Sequence, residues 1–306
     1  MERDVTSAIL SAIVVFLGAP LLMGVINRTK AWVGGRRGPA LLQMYYDIAK
    51  LLRKGFVVST TTTWVFLAGP VVALSAAIVA TLLLPLAGRP AWLSFTGDMI
   101  VFVYVFGLAR FFVASAAMDT GSAFEGMGAA REVTFSALAE PALFFGMLGL
   151  ARISGSLSLS HMLDLQTSHA WQKSSASIVL IIVSWFIVLL AENARVPVDD
   201  PNTHLELTMI HEVMVLDHGG PALGLILYGA ALKLMVFTAL LVNILVPTHS
   251  GNAALDFAAF VAGLAGVGIA IGLVESSMAR LRLLRVPQLL VTAILLAGFG
   301  VVLLMR

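Results

Sequence analysis

Ionisable side chains are concentrated in one short stretch of an otherwise apolar sequence. Residues 191–218 hold six of the 17 carboxylates and three of the six histidines of the chain. Ionisable groups near a bilayer are costly to desolvate, so this cluster predicts proton or ion handling, or a docking surface for a polar partner. The residues are Glu192, Asp199, Asp200, Glu206, Glu212, Asp217, His204, His211 and His218.

Charged side chains also occur inside the hydrophobic runs. Glu140 lies within an apolar run just before Pro141, and Lys233 lies midway along another. Such groups need a partner or an uncharged state, so we expect Glu140 to be paired or protonated and Lys233 to pair with a carboxylate. Arg110, which stays charged at any accessible pH, is interpreted as a structural anchor.

Several of these acids have a simpler structural interpretation. Glu192 and Arg195 are one helical turn apart and could form a local ion pair. The Thr203–Glu206 and Ser122–Glu125 segments match capping boxes, in which the glutamate only begins a helix. The histidine and carboxylate spacing matches no zinc motif, so no metal site is predicted. Two acids near the ends of apolar runs are expected to be solvated caps: Asp98 and Glu275.

The composition is that of a membrane protein. The chain has 306 residues, 59% hydrophobic and 12% charged, whereas a soluble domain carries about 25% charged residues. It contains no cysteine, which excludes disulfides and cysteine-ligated clusters within this chain. The first apolar run is too long for a signal peptide and is expected to be a retained helix. The fold class predicted is all-α, in one polytopic membrane domain covering residues 1–306.

A membrane span requires about 20 mostly apolar residues, and eight runs qualify. They lie at about residues 5–26, 64–87, 95–117, 134–153, 176–194, 222–246, 255–275 and 288–305. Of the 19 Lys and Arg residues, twelve fall in the loops at about 27–63, 118–133, 195–221 and 276–287. This bias predicts that these loops are cytoplasmic and that both termini are not. It also explains the net charge of +2 without nucleic-acid binding.

The first cytoplasmic loop contains apolar residues at helical spacing over residues 41–52, with charged residues largely on the opposite face. An amphipathic helix along the lipid headgroups would explain this pattern. A platform for a cytoplasmic subunit would explain it equally well. The charged residues expected to dock such a subunit are Arg36, Arg37, Asp47, Arg195 and Asp200.

Two motifs resemble those of the complex I subunit 1 family. One has the pattern Glu-x-x-Arg-x-Pro-x-Asp-x-Pro followed by Glu-Leu, here formed by Glu192, Arg195, Pro197, Asp199, Pro201, Glu206 and Leu207. The other is the first cytoplasmic loop, with Arg37, Gly38, Pro39, Leu42, Gln43, Asp47 and Lys50. Segments ending at Glu132 and at Glu140-Pro141 resemble the formate hydrogenlyase and hydrogenase-4 branch of that family.

The resemblance implies a membrane-anchor and coupling subunit of a group 4 [NiFe] hydrogenase-type complex. The expected partners are the hydrogenase large and small subunits, an iron–sulfur protein and an antiporter-like membrane subunit. The [NiFe] centre and the iron–sulfur clusters are expected on these partners, with no cofactor in this chain. A quinone-binding subunit of a complex I-like NADH dehydrogenase and a stand-alone secondary transporter are the alternatives. The residues expected to handle protons are Glu140, Glu192, Asp199, Glu206, Glu212 and Lys233.

Overall fold

The computed structural model describes residues 2–163, 166–199, 209–246 and 252–305. Within these ranges the regular structure is helical, apart from one isolated bridge between Leu86 and Arg89. The α-helices are α1 (Glu2–Val33), α2 (Gln43–Leu52), α3 (Trp64–Leu83), α4 (Asp98–Asp119), α5 (Ala123–Ser154), α6 (Leu159–Met162), α7 (Gln166–Glu192), α8 (Gly220–Leu245), α9 (Ala253–Ser277) and α10 (Val286–Leu303). Two 3₁₀ turns lie at Glu212–Val215 and Leu283–Arg285.

Eight of these helices are long and apolar enough to cross a bilayer, which confirms the predicted all-α architecture with about eight spans. They are α1, α3, α4, α5, α7, α8, α9 and, with the 3₁₀ turn before it, α10. Three helices extend well beyond the predicted spans, and one of them is α7, which begins at Gln166 rather than at about residue 176. Helix α1 continues to Val33, and α5 begins at Ala123, so most of the segment predicted as the loop 118–133 is helical.

Helix α8 forms the centre of the molecule. It packs against α1, α2, α3, α7 and α9, and 72% of the residues in its most hydrophobic 18-residue stretch are buried. Pro221 stands in its first turn, where the missing N–H costs no hydrogen bond. Because so much of its surface is enclosed by other helices, a charged residue on α8 such as Lys233 meets protein rather than lipid.

Close packing between α5 and α7 depends on one glycine. A Cβ added at Gly146 would overlap Nε1 of Trp185, so no other residue fits at this position without a shift. Trp185 is 2% exposed. The glycine therefore allows the α5 backbone to approach the indole of α7, which fixes the distance between these two helices.

The amphipathic segment in the first loop does form a helix, α2. It packs against α8 and α1, where the Tyr45 hydroxyl donates to the carbonyl of Leu17 and Leu51 lies against Gly224. Lys50, on the same helix, is exposed. The helix is therefore attached to the bundle on one side and presents charge on the other.

Candidate functional site

Five charged side chains from four membrane-spanning helices form one ion-pair network, called here the central network. Its members are Arg110 of α4, Glu132 and Glu140 of α5, Glu192 of α7 and Lys233 of α8. Arg110 connects all three carboxylates. Its Nη2 atom lies 2.7 and 2.9 Å from the two carboxylate oxygens of Glu192, its Nη1 donates to Glu140, and its Nε lies 3.8 Å from Glu132.

Lys233 completes the central network from the opposite side. Its Nζ lies 2.7 Å from Oε2 of Glu192 and 5.7 Å from the centre of the Phe106 ring. The side chain of Glu192 is 5% exposed. The predicted pairing of Lys233 with a carboxylate is confirmed, and Glu140 is paired, with Arg110 as its partner.

A cavity of about 180 Å³ adjoins the central network. Arg110, Glu132, Glu192 and Lys233 line one part of it, and most of the remaining wall is apolar. The predicted proton-handling residue Glu212, at the start of a 3₁₀ turn, also lines it, as do His211 and Arg195. The cavity is large enough to hold several water molecules beside the charged groups.

Arg195 pairs with Glu275 and not with Glu192, so the local ion pair that their spacing would allow is not formed. Its Nη1 lies 3.4 Å from Glu275 at the end of α9, and Lys30 of α1 lies 2.7 Å from the same carboxylate. Arg195 and Glu275 are 4% and 7% exposed. Glu275 is therefore no solvated cap, because α9 packs against α1 and the turn after α7 covers its end. Lys30, Arg195 and Glu275 are called here the second network.

The carboxylate of Asp199 contacts two other parts of the chain, the backbone after residue 208 and Arg280. It is 1% exposed, lies 2.8 Å from Arg280, and accepts hydrogen bonds from the backbone N–H groups of Ile210 and His211. These contacts join the residues just before the segment 200–208 to those just after it. Two predicted residues within that segment lie outside the described residues: Asp200 and Glu206.

The predicted docking residues of the first loop lie at the surface. Arg36 and Arg37 are exposed in the connection between α1 and α2. Asp47 is exposed on α2, where it accepts a hydrogen bond of 3.0 Å from Gln43. Arg195, by contrast, is buried, so an electrostatic contact between its side chain and a soluble partner would require the turn to move.

Two further expectations about acidic caps are wrong. The Ser122 side chain makes no capping bond, and the fully buried Glu125 accepts a hydrogen bond from the N–H of Asp217 instead. Asp98 is fully buried because α6 covers it, and it accepts hydrogen bonds from Ser158 and from the N–H of Leu159. Both carboxylates fix a neighbouring segment.

His218 is buried, and it follows Asp217, the residue whose N–H donates to Glu125. Its ring stacks on Phe66 at 4.0 Å, and its Nε2 lies 3.2 Å from the Phe66 carbonyl oxygen. Burial lowers the pKa of His218, which favours its neutral form. No group of three or more His, Cys, Asp or Glu residues within the described ranges could hold a metal ion.

Sequence reasoning missed two features of the central network. Glu132 was not predicted to belong to an ion-pair network, although it lies eight positions before Glu140 and both residues are on α5. Arg110 was interpreted as a structural anchor, yet it contacts all three carboxylates. The sequence does contain an indication of this role. The predicted spans hold more acids than the single lysine Lys233 can pair with, which indicates that a second cation takes part.

The chain is similar in sequence to a known family and to two membrane subunits of hydrogenase complexes. The profile described as NADH dehydrogenase matches residues 6–306. Formate hydrogenlyase subunit 4 of Escherichia coli (strain K12) is 34% identical over 300 residues, covering 95% of this chain and 94% of the relative. Hydrogenase-4 component C of the same organism is 31% identical, covering 78% of this chain and 75% of the relative.

More distant similarity extends to two respiratory proteins. A subunit of the NADH-quinone oxidoreductase of Rubrobacter xylanophilus is 26% identical, covering 64% of this chain and 62% of the relative. A chain in the structure of the membrane-bound sulfane sulfur reductase, an archaeal respiratory membrane complex, superposes with a TM-score of 0.82 at 21% identity and 99% coverage of both chains. The fold and the apolar helices are those of a multi-pass membrane protein, and the chain belongs to the NADH dehydrogenase family, that of complex I subunit 1, in the branch of formate hydrogenlyase subunit 4 and hydrogenase-4.

Proposed function

We propose that this chain is the membrane-anchor and coupling subunit of a group 4 [NiFe] hydrogenase complex of the formate hydrogenlyase type. It links electron transfer in a hydrophilic arm to proton translocation in the membrane arm. The names of the relatives support membership of a respiratory membrane complex. The chain forms one domain in the prokaryotic cytoplasmic membrane, with both termini on the non-cytoplasmic side, as the distribution of Lys and Arg favours.

The observation that carries the coupling role is the central network. A helix bundle that only anchors other subunits has no need for five ionisable groups on its spans, because each one is costly to place in a membrane. Here two cations and three carboxylates from four spans meet beside a cavity. Such an arrangement suits proton transfer between internal groups and water.

The redox chemistry belongs to the partners in this proposal. The chain has no cysteine, so cysteine-ligated iron–sulfur clusters and a [NiFe] centre are held by the hydrogenase subunits and the iron–sulfur protein. Exposed Arg36 and Arg37, together with Asp47 of α2, form a charged surface for docking these subunits. An antiporter-like membrane subunit completes the membrane arm.

Purification of the tagged chain from its native membranes tests this proposal. We expect hydrogenase subunits to co-purify, and inverted membrane vesicles to acidify internally during turnover. Charge reversal at Arg36 and Arg37 should release the hydrophilic arm while the chain stays inserted. Recovery of the chain alone would instead support a stand-alone transporter, and retention of the arm after charge reversal would contradict the docking surface.

Two observations favour a second candidate, a quinone-binding subunit. The cavity is mostly apolar, and an NADH-quinone oxidoreductase subunit is among the relatives. A quinone would need an apolar channel and a polar group at its end, which Glu192 and Arg195 could provide. Quinone-reductase activity in the purified complex would favour this function, whereas hydrogen formation without quinone dependence would favour the first.

A further inference from the structure

We propose that the connection between α9 and α10, residues 278–285, binds an anionic phospholipid, whose phosphate accepts hydrogen bonds from Arg282 and Arg285. The connection belongs neither to the central network nor to the second network, so lipid binding here is independent of the coupling function. Three observations support it: two exposed cations, an exposed apolar side chain between them, and the depth at which the next span places all three.

The last part of the chain is strictly basic. No Asp or Glu follows Glu275 in the sequence, whereas the connection contains three arginines. Arg280 pairs with the buried Asp199 at 2.8 Å. Arg282 and Arg285 are exposed, and within the described part of the chain neither of them has an acidic partner. Two guanidinium groups are therefore available to an anion from outside the chain.

A tight turn keeps these two arginines close together. The N–H of Arg285 donates to the carbonyl of Arg282 over 2.7 Å, which closes the 3₁₀ turn at Leu283–Arg285. In a closed turn the Cα atoms of residues three apart lie within about 7 Å of each other. Both long side chains can therefore reach one phosphate group, and the planar guanidinium is suited to donating two parallel hydrogen bonds to it.

The backbone of the connection is held by the rest of the fold. The N–H of Leu281 donates to the carbonyl of Pro197 over 2.9 Å. Leu281 and Leu283 pack against the hydrophobic core, and Val286, directly after the turn, is fully buried. The outward side chains therefore start from a fixed backbone, which lowers the entropy lost when a ligand binds.

The next span determines the depth of the turn. This span covers Leu283–Leu303, which is 21 residues. At 1.5 Å per residue it is about 31 Å long, close to the thickness of the hydrocarbon core. The turn therefore lies where the hydrocarbon meets the headgroups. Leu284 is 87% exposed, so its side chain can enter the hydrocarbon while the neighbouring arginines extend towards the phosphates.

These features together define the class of ligand. A zwitterionic phospholipid carries a cation beside its phosphate, which two unpaired guanidinium groups repel, whereas phosphatidylglycerol carries none. A free phosphate ion would satisfy the arginines but leave Leu284 in water, and burial of such a side chain is favourable. An anionic lipid supplies both the phosphate and the acyl chains, as basic sites beside membrane spans require.

The test titrates the purified full-length chain, depleted of lipid in a neutral detergent, with phosphatidylglycerol or phosphatidylcholine. Native mass spectrometry counts the bound lipids, and a photoreactive phosphatidylglycerol identifies the residues in contact. The variants are Arg282→Gln/Arg285→Gln and the charge-preserving Arg282→Lys/Arg285→Lys. Arg53→Gln/Lys54→Gln, which removes two adjacent exposed cations after α2, is the matched control.

We expect phosphatidylglycerol to bind more tightly than phosphatidylcholine and the photoreactive lipid to attach within residues 278–288. Each exposed arginine should contribute about fivefold to the affinity, so Arg282→Gln/Arg285→Gln should weaken binding by about 30-fold. The lysine variant should lose only part of the affinity, and the control none. Circular dichroism should show the glutamine variant folded; if it does not fold, Arg285→Gln alone should weaken binding by about fivefold.

Several results would overturn the proposal. They are unchanged affinity in the glutamine variant, equal affinity for the two lipids, and attachment of the photoreactive lipid outside the connection. Inorganic phosphate that binds as tightly as phosphatidylglycerol would assign the surface to a free anion. Loss of a soluble subunit from the purified complex, with lipid binding unchanged, would assign it to an acidic protein surface. None of these results bears on the coupling function of the central network.

Discussion

The second network allows a quantitative test of how the turn after α7 is held. Glu275 lies between Lys30 and Arg195, at 2.7 and 3.4 Å, and is 7% exposed. Glu275→Ala removes the carboxylate and leaves the guanidinium of Arg195, 4% exposed, without its acidic partner. We expect the folded chain to lose much of its stability, because a buried cation is then uncompensated.

The size of the loss follows from the geometry. Two unit charges 3.4 Å apart attract by about 5 kcal/mol at an effective dielectric constant of about 20. Desolvation opposes this attraction while both groups are present, but removal of one partner leaves the desolvation cost of the other. We therefore expect Glu275→Ala to lower the free energy of unfolding by about 3–5 kcal/mol.

The double variant Glu275→Leu/Arg195→Met distinguishes charge from packing. Because it removes both buried charges, it should be closer to wild type than Glu275→Ala. The measurement is reversible unfolding of the purified chain in mixed micelles, with Asp47→Asn as the exposed control, expected within about 0.5 kcal/mol of wild type. A Glu275→Ala variant within about 1 kcal/mol of wild type would refute the reasoning, since the buried pair would then contribute no more than a typical exposed one.

Three further outcomes are expected. Burial lowers the pKa of His218, so the unfolded chain binds a proton more readily than the folded chain below about pH 6.5. The free energy of unfolding should therefore fall as the pH drops through that value. Unfolding midpoints measured between about pH 8 and 5 report this dependence, and His218→Gln should reduce it. Gly146→Ala should destabilise the chain by about 1–3 kcal/mol through collision with the indole of α7, whereas Gly266→Ala, whose Cβ would meet nothing within 4 Å, should not, as thermal unfolding would reveal. Lys233→Met removes one of two cations from Glu192 and should cost about 1.5–3 kcal/mol, with Lys233→Arg retaining most of the stability in the same assay; equal stability of both variants and wild type would contradict the pairing.

The sequence predicted the helices well because the signal is a sum over many residues. Each span is a run of about 20 apolar side chains, and its presence does not depend on any single contact. The ends were predicted less accurately. Helix α1 continues through Lys30 to Val33 since the last turns are held by packing against α9, and the ion pair of Lys30 with Glu275 belongs to that contact.

The ion pairs were harder to predict because they join distant parts of the chain. The short separation of Glu192 and Arg195 would allow a local ion pair, but Glu192 binds Arg110, 82 residues away, and Arg195 binds Glu275, 80 residues away. The helix ends at Glu192, so the spacing that would bring residues three apart together is lost. Local spacing identifies pairs only while the helix continues.

The same turn explains how the two networks are related. Glu192 and Arg195 are three residues apart, yet one belongs to the central network and the other to the second network. The central network has one carboxylate more than its cations, and in the second network Lys30 and Arg195 share the single carboxylate of Glu275. The central network therefore has an excess negative charge and the second network an excess positive charge. The turn between Glu192 and Arg195 continues into Pro197 and Asp199. These two residues contact the connection between α9 and α10, through a hydrogen bond from the N–H of Leu281 to the Pro197 carbonyl and an ion pair of Asp199 with Arg280. Because both side chains are attached to this turn, any displacement of it alters both sets of ion pairs at once, and the electrostatic balance around the cavity depends on where the turn lies.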